Sequence, residues 1–425
     1  MFLPTPHAAT VRRSWWKMTP AQAQARKVGL YFAALPPPPS STALSLPADS
    51  AMPRKRKDKA RAERNPGLRV LWRFLLQVLN VLLLVPVLLV ALAPLVNPDN
   101  WWLPSILAFG APLLVCIPVV FILIWNVRRW RWSLLNLVFL LMNLGHLFNA
   151  YGFKGEKPAQ DEDFNVVTYN VDAFNYDADH AERTIDYLRT LKPDILCLQE
   201  FSWEYGTPPM DTRKYIQKTL GLRYMAVVEL LPDNRFGMAI FSRYPIVDYG
   251  EVTEITRRTR NGAMYADIKF FGEVLRVYNV HLQSYQLSNR NRQLLSEGPS
   301  VIFQRSLTEM WSVAKILLRN WRKQLDQLLA LHQHRSSAGQ YTLMCGDLNN
   351  PPFNYIYRKA RRDLHDSFRG AAQGFGVTYP GRLHGLRIDY IFRSDGLRTV
   401  NHYTGSHRFS DHKPVLARMR FDFHQ

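Results

Sequence analysis

The sequence predicts N-terminal transmembrane helices followed by a layered α/β domain. Two features carry this expectation. Between residues 70 and 147 the chain is almost continuously apolar, in three runs. From Phe164 onward, short β-branched runs alternate with helical patterns and turns. The first is the composition of a bilayer-spanning segment, and the second that of sheets covered by helices.

The formal net charge of +20 is unevenly spread. Residues 1–150 hold 17 of the 54 Lys and Arg but only four of the 34 Asp and Glu. Positive charge therefore gathers beside the apolar runs, a pattern of membrane topology rather than of a nucleic-acid groove. Residues 1–67 read as a disordered basic segment that includes Pro36-Pro37-Pro38-Pro39. Met52, followed by Pro-Arg-Lys-Arg-Lys-Asp-Lys, is the expected translation start, which would leave residues 1–51 untranslated.

Residues 68–150 are expected to form three transmembrane helices, at 70–96, 103–125 and 132–147. Trp101, Trp102, Trp125, Trp130 and Trp132 lie at their ends, where amphipathic rings prefer the interface. Asn136 and Asn143 are seven apart, share a helical face, and are expected to hydrogen-bond between packed helices. Basic residues precede the first run, and Arg128, Arg129 and Arg131 fill the second connection. The first connection carries only Asp99. The positive-inside rule then puts the N-terminus in the cytoplasm, and three crossings put everything after residue 150 outside it. The lipid bilayer is the expected partner, and no protein partner is predicted.

Residues 151–163 read as a polar linker and 164–425 as the catalytic domain. Strand-like runs occupy 164–169, 195–198, 238–241, 275–280, 341–345, 388–392 and 415–419. Residues 306–333 have helical spacing, as one long helix or two shorter ones. Three cysteines are too few for a disulfide framework, and Cys116, Cys197 and Cys345 read as small buried hydrophobes.

Several of these runs end on groups that bind metal or phosphate. The first ends at Asn170 and the second at Gln199-Glu200. The fourth ends at His281, and the fifth leads into Gly346-Asp347-Leu348-Asn349. Asp389 follows Arg387-Ile388, and Ser410-Asp411-His412 precedes the last run. Strand ends along one rim gather groups from distant sequence. Carboxylate and amide oxygens suit Mg²⁺ or Mn²⁺ rather than zinc. Phosphodiester cleavage needs neutralised phosphoryl oxygens, an activated water and a proton for the leaving oxygen. Glu200 suits the metal, Asp347 the water, and the histidines the phosphoryl oxygen and the proton.

The ordered set resembles the endonuclease/exonuclease/phosphatase superfamily. The resemblance rests on Thr168-Tyr169-Asn170-Val171, Pro193-Asp194-Ile195-Leu196-Cys197-Leu198-Gln199-Glu200, Gly237-Met238-Ala239-Ile240-Phe241-Ser242-Arg243 and Asn279-Val280-His281-Leu282. It continues through Gly346-Asp347-Leu348-Asn349-Asn350-Pro351, Arg387-Ile388-Asp389-Tyr390-Ile391 and Ser410-Asp411-His412-Lys413-Pro414-Val415. It implies a four-layered α/β sandwich, with two packed mixed sheets flanked by helices. It also implies catalytic roles for His281, Asp347, Asn349, Asp389, Asp411 and His412. Asn170, Asn349 and His412 would contact substrate, and Glu200, Asn170 and Asp411 would hold Mg²⁺ or Mn²⁺.

Two departures refine the resemblance. His281 stands where abasic-site endonucleases place tyrosine, yet Asp172 follows Asn170-Val171 as it does in those enzymes. The Trp-Cys-Asp-Arg signature of the 5-phosphatases is absent, and residues 284–340 form a long insertion. The expected activity is hydrolysis of phosphodiesters, with nucleic acid the first-choice substrate. A phospholipid or sphingolipid head group is the alternative, ahead of a catalytically dead membrane scaffold.

Overall fold

The computed structural model describes residues 66–155, 157–205, 210–231, 235–252, 255, 259–270, 272–285, 307–380, 385–406 and 409–422. The disordered reading of residues 1–67 therefore lies outside the described residues for 1–65, as does the Met52 start. The chain forms two compact units, Met1–Arg69 and Val70–Gln425. Of the first, only the start of a helix is described.

That helix, Pro66–Leu92, is long and apolar enough to cross a bilayer. Two bent helix pairs follow: Leu103–Leu114 with Cys116–Trp125, and Trp130–Met142 with Leu144–Ala150. They bend by 50° and 51°, and the chain has up to three spans if each pair counts as one. The first helix stops at Leu92, short of the expected residue 96. Pro94 has no N–H to offer the Val90 carbonyl, which accepts from the Ala93 N–H at 3.1 Å and from His146 Nε2 at 3.0 Å. The bend near Val115 falls where Pro118 cannot donate to Leu114.

Polar side chains set the packing of these segments. Asn80 and Asn136 exchange hydrogen bonds at 3.1 and 2.9 Å, and Asn143 donates to the Val87 carbonyl at 3.3 Å. Together with Val90–His146, these pairs are each separated by 56 residues. A constant offset means that the first and last segments run parallel. Trp125 Nε1 donates to Asn80 at 2.9 Å, while Ala108 and Ala111 pack with Val90 and Ala93. The middle segment is thus antiparallel to both. Of the cysteines, Cys197 and Cys345 are buried as expected, but Cys116 is exposed on the apolar surface of its helix.

Beyond the helices, strands numbered along the chain build two six-stranded mixed sheets. The first has the order β15 (Leu397–Thr404), β16 (Val415–Phe421), β2 (Phe164–Asn170), β3 (Ile195–Ser202), β7 (Phe236–Ser242) and β6 (Tyr224–Leu231). The second runs β12 (His365–Asp366), β14 (Asp389–Arg393), β11 (Tyr341–Asp347), β10 (Glu273–His281), β9 (Gly262–Phe270) and β8 (Ile246–Glu251). Two small ribbons pair β1 (Tyr151–Phe153) with β13 (Gln373–Phe375), and β4 (Glu204–Tyr205) with β5 (Met210–Asp211).

Side-chain alternation makes the layers. Val166, Cys197, Met238, Val277 and Cys345 point into the core between the sheets. Val167, Leu196 and Leu198 face outward beneath the helices Ala178–Thr190 and Thr212–Leu220. On the other side, Tyr278, Met344 and Tyr390 face Leu317, Trp321, Leu328 and Leu331 of one long helix, Leu307–Arg335. The result is the expected α/β sandwich of two sheets flanked by helices.

The two parts of this unit are packed together. Phe353 shares a buried cluster with Val90, Ala93, Ala108 and Ala111. Asn149 Nδ2 donates to the Pro352 carbonyl at 2.7 Å. The buried Arg387 donates to the Asn149 carbonyl at 3.1 Å and to Asp366 at 2.8 Å. The expected linker, 151–163, is also pinned: β1 pairs with β13, and Lys157 and Asn401 exchange hydrogen bonds at 2.8 Å.

Arg387 and Asp366 are both buried, so breaking the pair leaves an uncompensated charge. Burial alone would raise the Asp366 carboxyl, yet the Arg387 charge and the Tyr357 hydroxyl hold it below the ordinary value of 3.8. A depressed carboxyl stabilises the fold above its unfolded pKa and loses that contribution as pH falls through the folded value. Asp366→Asn is expected to cost on the order of 3–5 kcal/mol at pH 7. Denaturant unfolding of the full chain in detergent checks this, and the gap from wild type should close as pH falls below 3.8.

Candidate functional site

Each sheet contributes one central parallel strand pair, and that pairing gathers the site. In β2/β3, Asn170 stands opposite Gln199. In β10/β11, His281 stands opposite Asp347, and Asp347 is in turn opposite Asp389 on antiparallel β14. Parallel strands end on the same rim, so the ends of β2, β3, β10 and β11 converge there. Gly346 permits the close pairing. Its φ is +136°, and a Cβ there would fall 1.9 Å from the Val280 carbonyl oxygen.

Glu200 reaches the same rim by a local irregularity. The register of β3 against β7 shifts between Leu198 and Phe201, and Glu200 has φ +49°. A bulge re-aims a side chain that regular alternation would send elsewhere. Asn170 Nδ2 then donates to Glu200 Oε1 at 3.2 Å and to Asp347 Oδ2 at 3.3 Å. His281 Nε2 lies 3.8 Å from Glu200 Oε1 and 3.7 Å from Asp347 Oδ2. Its Nδ1 is buried and has no hydrogen-bond partner among the described residues.

His412 approaches Asp347 from the other sheet's last loop. Its Nδ1 donates to Asp389 Oδ2 at 2.9 Å, and its Nε2 lies 3.7 Å from Asp347 Oδ2. Burial opposes a charge on this ring, but the Asp389 and Asp347 carboxylates outweigh it and raise His412 to about 10. Burial, and then the charge of Asp389, push the Asp347 carboxyl up to about 6. Asp411 stands half exposed, 3.9 Å from His412 Nε2. Asn349 also has a positive φ, +54°; its N–H donates to Asp347 Oδ1 at 2.7 Å, and its side chain to the Leu282 carbonyl at 3.0 Å.

All eight residues singled out in the sequence are therefore at one rim. Others stand there with them. Asp172 is pushed up to about 6 by burial, Asp411 and Glu200, so it belongs to this cluster rather than to a free loop. Asn261 donates to the Leu282 carbonyl at 3.0 Å and lies 3.3 Å from His281 Nε2. Gln199 bonds Thr168 and Asn279, and Thr378 Oγ1 accepts from the Asp389 N–H at 3.2 Å. Gln199 and Asn279 sat inside quoted motifs; Asn261 and Thr378 left no local signal.

The donor set fits a hard divalent cation. Asp172, Glu200, Asp347, Asp389 and Asp411 crowd this rim, and among the described residues His281 and His412 stand against these carboxylates while Arg260 acts on Asp172. Such a rim meets an anionic phosphate only with further positive charge. Asp347, Asp389 and His412 have potential ligand atoms within 4.8 Å of one another. Glu200 offers a further hard oxygen donor at the same rim, 3.8 Å from His281 Nε2.

The chain matches the Endonuclease/Exonuclease/phosphatase family over residues 167–412, more than half its length, and it belongs to that family. Members hydrolyse phosphoester bonds and depend on divalent metal. Residues 73–150 match a domain of unknown function, DUF8431. No curated protein matches the chain. Similar solved structures include humanized D. rerio TDP2, 16% identical, covering 61% of this chain and 100% of that one, with a TM-score of 0.43. A functionally unknown conserved protein from Enterococcus faecalis is 16% identical over 61% and 100%, with a TM-score of 0.42. The human Nocturnin catalytic domain is 18% identical over 62% and 96%, with a TM-score of 0.43.

The raised Asp347 carboxyl has a consequence for stability. An acid whose folded pKa lies above its ordinary 3.8 destabilises the fold once ionised, a penalty absent below 3.8 and complete above about 6. Asp347→Asn keeps the shape and can still accept from the Asn349 N–H. In chelator, this variant is expected to be more stable than wild type by about 3 kcal/mol above pH 6 and equal to it below the ordinary carboxylate range. Denaturant titrations across pH measure the difference; a residue serving only as a strand-end cap would give a loss instead.

Proposed function

We propose that this chain is a membrane-anchored, Mg²⁺- or Mn²⁺-dependent phosphodiesterase, with nucleic acid the first-choice substrate. The observation that carries this reading is the convergence of Asn170, Glu200, His281, Asp347 and His412 on one rim, within 3.2–3.8 Å of their neighbours. Glu200 would hold the cation, with Asn170 and Asp411 beside it, which leaves Asp347 free for the water. Bound there, it would polarise a phosphoryl oxygen and acidify a water.

The remaining steps belong to the side chains. Asp347 would accept the proton of the attacking water, since a carboxyl near 6 is ionised at neutral pH yet basic enough to take one. Asp389 fixes the orientation of His412 through Nδ1, leaving Nε2–H to face the phosphate. His412 and His281 would bind its oxygens and supply the leaving group's proton. Asn170 and Asn349 would orient the phosphate. A lipid head group is the second reading, favoured by the packing of Phe353, six residues after Asp347, against the apolar helices.

The parallel, constant-offset packing of the first and last apolar segments supports an odd number of crossings. With the Lys/Arg asymmetry it supports a cytoplasmic N-terminus and an extracytoplasmic catalytic domain. A reporter fused after Gln425 is expected to be active only outside the cytoplasm; cytoplasmic activity would overturn this topology.

Assay of the full chain against plasmid DNA, RNA and choline phospholipids tests the activity. Chelator should abolish it, and Mg²⁺ or Mn²⁺ should restore it. Glu200→Gln should raise the metal concentration required. His412→Ala should lose about a hundred- to a thousandfold in rate, and extra metal should not rescue it. Normally folded variants with near wild-type rates on every phosphoester would refute the assignment.

A further inference from the structure

Where the apolar helices meet the catalytic domain, there is a cavity of about 810 Å³. Its walls are the turn after the first helix, the long helix Leu307–Arg335, and the helix Tyr355–Arg361. None of the eight candidate site residues lines it. One side is aliphatic, with Leu95, Leu325 and Leu329; Leu95 and Leu329 are 58% and 60% exposed. The other side is basic, with Arg358, Lys359, Arg361 and Arg362, and no acidic residue lines the cavity among the described residues.

These cations are poorly compensated. Arg362 pairs with Asp363 at 3.4 Å. Arg358 donates to the Pro94 carbonyl at 3.4 Å, which ties the basic helix to the end of the first apolar helix. Among the described residues, Arg358, Lys359 and Arg361 have no acidic partner. Arg358, Lys359 and Arg362 are exposed, so an anionic amphiphile can reach this positive charge and the exposed leucines together.

The location selects that amphiphile. Leu95 and Asn97 follow the end of the first helix at Leu92, and the exposed Trp101 lies four residues beyond Asn97. Tryptophan marks the head-group level of a bilayer. We propose that this cavity binds the head group of an anionic phospholipid, with its phosphate on Arg358, Arg361 and Arg362 and the first methylenes of its chains on Leu95 and Leu329. A zwitterionic head group brings its own cation and gains less from this wall. The cavity is large enough for a phosphoglycerol group and the start of its chains, and each basic side chain at such a surface adds to anionic-lipid affinity. The site would fix the depth and tilt of the catalytic domain on the membrane, apart from any reaction at the rim. This inference rests on the reading that the first helix crosses the bilayer.

The test uses the full chain in nanodiscs of phosphatidylcholine, with or without phosphatidylglycerol. Native mass spectrometry of wild type should find phosphatidylglycerol retained through delipidation, and its melting temperature should rise when that lipid is present. Arg361→Glu/Arg362→Glu should reduce retention about tenfold or more and abolish the rise. Inorganic phosphate at millimolar concentration should not reproduce the rise; if it does, the site binds free phosphate and the proposal falls. Equal retention by variant and wild type, or no preference for phosphatidylglycerol in wild type, overturns it. So does a charge reversal that weakens nucleic-acid binding while leaving lipid retention unchanged. If the double variant does not fold, the wild-type lipid preference decides alone. Extraction of the chain by alkaline carbonate would sink the membrane reading together with this proposal, whereas an integral protein with unselective lipid binding sinks this proposal only.

Discussion

The parallel pairing of β10 with β11 is the constraint on which the site depends. It sets His281 beside Asp347 and, through β14, Asp347 beside Asp389. Parallel neighbours cannot be joined by a tight turn; the chain must leave the rim, cross a face of the sheet and re-enter at the far end. The long segment between His281 and Tyr341 is that crossover, and its helix, Leu307–Arg335, covers the outer face. The same helix buttresses the rim. Gln324 donates to the Gln283 carbonyl at 2.6 Å and accepts from Asn350 at 2.8 Å, and Gln327 accepts from the Gln283 N–H at 2.9 Å. The insertion thus holds the two strand ends that carry His281 and Asp347.

From that rim the chain passes directly to the apolar helices. Asp347 leads through Asn350 to Phe353, which is buried among Val90, Ala93, Ala108 and Ala111. Asn149, at the end of the last apolar segment, bonds the Pro352 carbonyl and receives Arg387, two residues before Asp389. Arg387 lies over the rings of Phe368 and Tyr390 at 4.3 and 4.7 Å, so its charge is sandwiched as well as paired. The loops that shape the rim therefore rest on the helix bundle, and the α/β domain is not a module hung on a free linker.

Electrostatics at the rim run against stability and toward chemistry. Burying Asp347 near Asp389 raises one carboxyl, while the same pair holds a charge on His412. Positive φ at Asp172, Glu200 and Asn349 adds backbone strain in the same place. Such a site persists because the layers around it over-determine its geometry. Val166, Met238, Val277 and Ile391 fill the space between the sheets, and the outer helices seal both faces.

Much of this was legible in the sequence because it depends on local composition. Apolar runs, tryptophan ends, β-branched strands and the polar residues that finish them are read one segment at a time. Seven runs marked as strand-like are strands, and the eight residues chosen at or beside their ends share one rim. That Asn136 and Asn143 hydrogen-bond between packed helices followed from their shared helical face, while Asn80 and Val87 as their partners had no signal in the sequence. Tertiary structure alone decided the rest. Glu200 faces the rim through a bulge whose cause lies in the register with β7, and Asp172 joins the carboxylates because Glu200 on β3 and Asp411 before β16 arrive from distant sequence. Asn261 and Thr378 touch the site from connections with no motif of their own. The basic wall beside Leu95 exists only because residues 95 and 358 are brought together across the fold. A sequence period reports which face of an element is apolar, whereas which two faces meet is fixed by packing among elements far apart in the chain.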